Sequence, residues 1–211
     1  MRPFLLVLAG VNGAGKSSVL SALLHDAGLA FYNPDSYAAE LVRELGMEQV
    51  EANALSWNHG KSLLERAVTG GSNHAFETTL GGKTITRLLA EAAKTHDVLM
   101  LYCGLASPEL HVARVAQRVA HQGHPIAEDK IRERWHTSRA NLVQLLPVLA
   151  RLQVFDNSET VEAGQDVPDP ALVLELEDGR LVFPDAGSHR ALAAVPAWAR
   201  PILEAAIRLQ P

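Results

Sequence analysis

Apolar and polar residues follow two patterns that alternate along the chain. Short, nearly unbroken apolar runs, typical of buried strands, are separated by longer stretches in which apolar residues return about every 3.6 positions, as in amphipathic helices. The predicted strands are FLLVLA, LAFYN, HAFETT, DVLMLYCG and LQVFDN. This alternation predicts βαβ units and a parallel sheet covered by helices.

Helical patterns fill the intervals between these strands. The predicted helices are KSSVLSALLHDAG, DSYAAELVREL, EANALSWNHGKSLLERAV, KTITRLLAEAAK, PELHVARVAQRVA and EDKIRERWHTSRANLVQLLPVLARL. After residue 159 the chain becomes acidic and rich in turn residues. ALVLELEDGRLVFP then alternates around Asp178-Gly179, which predicts a hairpin, and VPAWARPILEAAIRL predicts a closing helix. We expect residues 161–211 to pack on a domain formed by residues 1–160, because about 50 residues could hardly fold alone.

The first apolar run leads directly into a glycine-rich segment. GVNGAGKS, which starts at Gly10, fits the phosphate-loop pattern G-x-x-x-x-G-K-S/T. Glycine allows positive φ and leaves no Cβ, so successive backbone N–H groups can face phosphate oxygens. We expect the lysine to face phosphate or solvent and the serine after it to bind Mg²⁺. The predicted nucleotide-binding residues are Gly10, Asn12, Gly13, Ala14, Gly15, Lys16, Ser17 and Ser18.

Polar residues follow several predicted strands, at the edge where a doubly wound sheet binds its ligands. Asp35 follows the second strand and is a candidate general base for a phosphoryl-acceptor hydroxyl. Asp35 is equally suited to be the N-cap of the helix that begins there. Glu77 ends the third strand, where a carboxylate could orient the acceptor or support Mg²⁺, and a surface glutamate is the alternative. Thr78 and Thr79 follow it, although β-branched residues are common in strands for structural reasons.

Arginines are concentrated in two adjacent predicted helices. Arg114 and Arg118 are four residues apart and share a face of the first helix. In the second helix Arg132 and Arg139 share a face, with Arg134 turned away. Two such helices joined by the loop HQGHP predict a lid over residues 114–139 that closes over phosphates. Solvated faces with acidic partners are the alternative interpretation.

Composition limits the classes of function. The 211 residues are 47% hydrophobic, enough for a sizeable core, and the net charge of −5 favours neither nucleic acid nor anionic membrane as a partner. No segment approaches the roughly 18 apolar residues of a membrane span. Cys103 could join His121 and His124 at a zinc site, but a single thiol in a buried strand is more typical of packing. We expect a cytoplasmic protein.

Six segments, in order, resemble the zeta toxin family of P-loop kinases, in the branch often labelled predicted ABC-type ATPases. They are GVNGAGKSS, NPDSYA, ETTLGG, YCGLASPELHVARVAQRVAHQGH, IRERWHTSRANL and VFDNS, and they extend over residues 1–160. The resemblance implies a three-layer α/β P-loop kinase-like fold, with a mostly parallel five-stranded sheet of order 2-3-1-4-5 and helices on both faces. It also implies ATP or GTP with Mg²⁺, phosphorylation of the amino-sugar 3′-hydroxyl of UDP-N-acetylglucosamine, and inhibition by a small antitoxin.

The resemblance also assigns roles to individual residues. It implies that Lys16 and Ser17 bind phosphate and metal, that Asp35 is the acceptor base, and that Glu77 with Thr79 supports the substrate side.

The lid arginines implied by the resemblance are Arg118 and either Arg132 or Arg134. The alternative functions are a kinase for a different small molecule and a non-catalytic nucleotide-binding module controlled by a partner.

Overall fold

The computed structural model describes residues 2–16, 31–120, 125–160 and 168–210. Apart from Lys16, the helix predicted over KSSVLSALLHDAG lies outside these ranges. The strands are β1 (Phe4–Ala9), β2 (Phe31–Tyr32), β3 (His74–Thr78), β4 (Asp97–Gly104), β5 (Arg151–Asp156), β6 (Ala171–Glu177) and β7 (Arg180–Phe183). The helices are α1 (Pro34–Leu45), α2 (Gln49–Gly70), α3 (Lys83–Ala92), α4 (Pro108–Ala120), α5 (Glu128–Leu145), α6 (His189–Ala194) and α7 (Arg200–Arg208), with a 3₁₀ turn at Leu146–Val148.

The strands form one mixed sheet in the order β2-β3-β1-β4-β5-β6-β7. The first five strands of this order are parallel to one another and have the predicted 2-3-1-4-5 order. The sheet is nevertheless larger than predicted, because the β6–β7 hairpin pairs antiparallel with β5. This pairing satisfies the backbone groups along an edge of β5 that the five-stranded sheet would leave open. The division at residue 160 stays a prediction.

The C-terminal end of α5 differs from the predicted helix. The apolar pattern continues through residue 152, but α5 ends at Leu145 and β5 begins at Arg151. Pro147 lies in the intervening 3₁₀ turn, where its missing N–H and the clash of its ring with the carbonyl four residues earlier prevent the α-helix from continuing. The apolar residues beyond it, including the buried Leu152, belong to the sheet core.

Both faces of the sheet are buried. Leu5 and Val7 of β1 belong to the main core, which includes Leu142 of α5 and residues of the C-terminal helix α7. Leu8 lies in a separate cluster with Cys103. Neighbouring residues of a strand point to opposite faces, so the near-continuous apolar run in β1 reflects burial on both sides. Among the helices that the structure describes, none is long and apolar enough to cross a bilayer.

Candidate phosphate and acceptor site

The glycine-rich loop after β1 passes close to the ends of three neighbouring strands. The N–H of Gly10 donates to the carbonyl of Thr78 at 3.2 Å, and a Cβ on Gly10 would lie 2.2 Å from the carbonyl oxygen of Cys103. Gly15 has a φ of 79°, and a Cβ there would lie 2.2 Å from Nδ2 of Asn157. Neither position has space for a side chain, so the loop requires glycine at both.

Two polar side chains that the sequence analysis did not assign support this loop. His111 is buried, and its Nδ1 lies 2.9 Å from the carbonyl oxygen of Asn12; because a carbonyl only accepts, Nδ1 carries the proton. Burial lowers the pKa of His111 to about 4 despite this hydrogen bond. Nδ2 of Asn157 donates to the carbonyl of Ala14 at 2.9 Å. Two sequence signals were available for these residues. His111 lies four residues before Val115 on the buried face of its helix, and Asn157 directly follows β5.

Lys16 is buried and forms an ion pair with Glu77. Its Nζ lies 3.2 Å from Oε1 of Glu77, and the two side chains are 6% and 12% exposed. Nζ also donates to the carbonyl of Val11 at 3.4 Å. The lysine therefore lies within the loop, where its charge is balanced by β3 and it does not face solvent. That it faces phosphate stays a prediction.

Cys103 lies close to this ion pair at the end of β4. Burial raises the pKa of its thiol to about 12, Lys16 acts in the opposite direction, and Glu77 adds to the increase. The thiol is therefore protonated at neutral pH. His121 and His124, its partners in the alternative zinc site, lie outside the described residues.

The N-cap of α1 is Asn33, which corrects the capping alternative for Asp35. Oδ1 of Asn33 accepts hydrogen bonds from the N–H groups of Asp35 at 2.8 Å and Ser36 at 3.1 Å. Pro34 follows the cap at the first helical position, where its missing N–H is harmless. The other end of the same amide reaches the sheet, since Nδ2 of Asn33 donates to Oε2 of Glu77 at 2.9 Å.

The carboxylate of Asp35 faces the guanidinium of Arg118. Oδ2 of Asp35 lies 3.8 Å from Nη1 of Arg118, and the side chains are 41% and 40% exposed. Nε and Nη2 of Arg118 are buried, with no hydrogen-bond partner within the described parts of the chain. The last turn of α4 thus brings unpaired donors to the first turn of α1, where an anionic group would satisfy them.

Of the two arginines considered for the second lid position, Arg134 faces the phosphate loop. Its Nη1 donates to Oδ1 of Asn12 at 2.8 Å. Arg132 instead forms ion pairs with Glu109 at 2.6 Å and with Glu128 at 2.8 Å on the surface. Arg134 thus points in a different direction from Arg132, towards the phosphate loop, and its role as a lid arginine stays a prediction.

Arg139 and Arg114 have other contacts. The guanidinium of Arg139 stacks 3.5 Å from the ring centroid of Trp135 and donates to the carbonyl of Trp198 at 3.0 Å. This packing joins α5 to the C-terminal segment. Arg114 donates to the carbonyl of Glu159 at 2.9 Å, and desolvation lowers its pKa.

The remaining predicted site residues lie around the end of β3 or outside the described ranges. The hydroxyl of Thr78 accepts from the N–H of Leu80 at 3.0 Å, which shapes the turn after the strand. Thr79 is half-buried beside it. Their role in acceptor binding stays a prediction. Ser17 and Ser18 lie outside the described residues.

Solved structures share this fold. The AvrRxo1-ORF1:AvrRxo1-ORF2 complex with sulphate ions has 18% identity and a TM-score of 0.61, with 93% of this chain and 64% of that chain covered. The same complex with ATP has 17% identity, a TM-score of 0.61 and the same coverage. The PezAT chromosomal toxin-antitoxin system of Streptococcus pneumoniae has 20% identity and a TM-score of 0.56, covering 74% of this chain and 68% of that one. This chain thus spans about 64% of the AvrRxo1 chain it matches.

Sequence comparison identifies the family. No curated protein matches the chain in sequence. The model of the family described as "AAA domain" matches residues 5–145, from β1 through α5, and so includes the phosphate loop and the helices that carry Arg118 and Arg134. The chain therefore belongs to the AAA domain family and has an α/β P-loop kinase-like fold.

Proposed function

We propose that this protein is a small-molecule kinase that transfers the γ-phosphate of ATP or GTP to an acceptor hydroxyl. The observation that carries the proposal is the pair formed by Asp35 and Arg118, since Asp35 is linked through Asn33 and Glu77 to the lysine of the phosphate loop. A non-catalytic nucleotide-binding module would need Asp35 only as a helix cap. Asn33 performs that function, so the partly exposed carboxylate of Asp35 is left to face an acceptor.

Each charged side chain has a distinct role in the proposed transfer. Asp35 accepts the proton of the acceptor hydroxyl, whose oxygen forms a bond to the γ-phosphorus while the bond from that phosphorus to the β–γ bridging oxygen breaks. Lys16 and the loop N–H groups hold the phosphates, and Arg118 and Arg134 stabilise the charge that develops during transfer.

The described residues fit a triphosphate, because the loop has three positive-φ glycines, ends in the buried Lys16, and is contacted by Arg134 through Asn12. Two nitrogens of Arg118, which have no hydrogen-bond partner among the described residues, add donors next to Asp35. Mg²⁺ bound with the nucleotide would neutralise charge on the β- and γ-phosphates, and Ser17 is its predicted protein ligand.

We further propose a sugar nucleotide, with UDP-N-acetylglucosamine first, as the acceptor to test. The resemblance to zeta toxins supports this choice. A small antitoxin is the proposed partner, since the PezAT structure is that of a toxin-antitoxin system.

The test is a transfer assay with γ-labelled ATP and Mg²⁺ against sugar nucleotides, nucleosides and aminoglycosides, read by the appearance of a labelled product. We expect one acceptor class to be labelled by the wild-type protein and not by Asp35→Asn. Arg132→Ala is the matched control, because this arginine is bound to surface glutamates. Nucleotide binding without labelling of any acceptor, water included, would favour the non-catalytic module.

A further inference from the structure

A continuous set of polar contacts joins the nucleotide lysine to the proposed acceptor base. Lys16 Nζ lies 3.2 Å from Oε1 of Glu77, and Oε2 of Glu77 accepts from Nδ2 of Asn33 at 2.9 Å. Oδ1 of Asn33 in turn accepts from the N–H of Asp35 at 2.8 Å. The phosphate loop and the start of α1 are therefore connected through the side chains of Glu77, in β3, and Asn33, which lies between β2 and α1.

Glu77 has both carboxylate oxygens engaged in this arrangement. One oxygen faces the buried lysine and the other faces the amide of Asn33, and the side chain is only 12% exposed. Little of Glu77 remains to contact an acceptor. Its position instead keeps the phosphate loop and the first turn of α1 at a fixed separation.

We propose that Asn33 is a positioning residue that fixes the acceptor base Asp35 relative to the phosphate loop through Glu77. This inference rests on the proposed kinase function. An N-cap alone requires only an oxygen acceptor, which serine, aspartate and asparagine all provide. Only asparagine among these three adds an amide donor, and that donor binds Glu77.

The chemistry of residue 33 therefore separates positioning from capping. Asn33→Ser keeps a capping oxygen but loses the amide that reaches Glu77. Asn33→Asp also keeps the cap, but it sets a second carboxylate against Glu77, which repels it and disturbs the start of α1. A role in capping alone predicts equal activity for asparagine, serine and aspartate.

The experiment measures steady-state ATP turnover, with the best acceptor from the transfer assay or with water, for wild type and both variants. Misplacement of a catalytic group by about 1 Å can cost around a hundredfold. We expect kcat to fall roughly tenfold in Asn33→Ser and further in Asn33→Asp, with the KM for ATP within about twofold of wild type. Thermal melting of all three proteins checks that the fold is kept.

Glu77→Gln provides the matched control at the other end of the contact. Its amide oxygen can still accept from Asn33, but the charge that balances Lys16 is lost, so ATP affinity should change more than kcat. Equal kcat values for asparagine, serine and aspartate at residue 33 would overturn the positioning role.

Failure of the kinase proposal is recognised separately. If the kinase proposal is wrong, Asp35→Asn leaves ATP turnover unchanged, as do both Asn33 variants. If Asp35→Asn loses turnover and neither Asn33 variant does, the positioning role of Asn33 is contradicted and the kinase proposal is not.

Discussion

Arg118 Nη1 lies 3.8 Å from Oδ2 of Asp35, across the space between the last turn of α4 and the first turn of α1. Both side chains are about two-fifths exposed, and ion pairs at this exposure contribute little to folding stability. The role proposed for the pair is therefore in binding and catalysis and not in stability. Two further nitrogens of Arg118 lack hydrogen-bond partners among the residues described, which is consistent with an anion that binds there.

Replacing Arg118 with alanine should lower kcat by about a hundredfold or more and change the KM for ATP less. An arginine that meets charge developing during transfer acts mainly in the transition state. Steady-state kinetics with the identified acceptor measure both constants, and Arg132→Ala should behave as wild type. A change confined to KM would show ordinary ground-state binding instead.

Replacing Asp35 with asparagine should reduce turnover by about 10² to 10⁴, because proton abstraction is lost. ATP binding should survive, since the phosphate loop is unchanged. Asn33 remains the N-cap, so the variant loses the interaction of a carboxylate with the helix N-terminus, worth about 0.3–1 kcal/mol, and the exposed ion pair with Arg118, which contributes little to stability. Single-turnover rates and urea unfolding measure the two effects, and a wild-type rate would exclude Asp35 as the base.

The sequence predicted the parallel part of the sheet because apolar runs and phosphate-loop glycines are local signals. The β6–β7 hairpin was also predicted, but its pairing with β5 depends on contacts between distant segments. The end of α5 was wrong for a related reason: an apolar pattern cannot distinguish a helix face from the following buried strand.

Within the site, residue types were predicted better than their contacts. Asp35 and Arg118 were selected as the base and a lid arginine, and the structure brings them together. Helical spacing could not decide between Arg132 and Arg134 as the lid arginine, because the orientation of α5 depends on its packing, including the contact of Arg139 with Trp198. The burial of His111 could have been inferred from its spacing to Val115, but its hydrogen bond could not, because the partner is a backbone carbonyl and leaves no sequence pattern.

Replacing Lys16 with alanine should abolish nucleotide turnover and also destabilise the fold. The substitution leaves Glu77 buried without its charged partner, which typically costs about 3 kcal/mol or more. Adding Glu77→Gln to this variant should restore much of the unfolding free energy, because the buried charge is removed, while turnover stays absent. Urea unfolding of the wild type and of the single and double variants measures this coupling. Additive losses would show that the ion pair does not carry the effect.

The unfolding free energy should depend on pH through His111. Burial lowers the pKa of this histidine from an ordinary 6.5 to about 4, so the folded protein binds its proton less readily than the unfolded chain. The resulting stability is fully present above pH 6.5 and is lost as pH falls towards 4, by an amount of the order of 3 kcal/mol.

His111→Asn should lack this loss, since asparagine can donate to the carbonyl of Asn12 but does not ionise in this range. The measurement is urea unfolding of both proteins at pH 7, 5 and 4. Taking the difference between the two proteins at each pH cancels the contributions of other titrating groups. We expect the unfolding free energy of wild type to fall more than that of His111→Asn as the pH is lowered. Parallel pH profiles would show that His111 is not the group responsible.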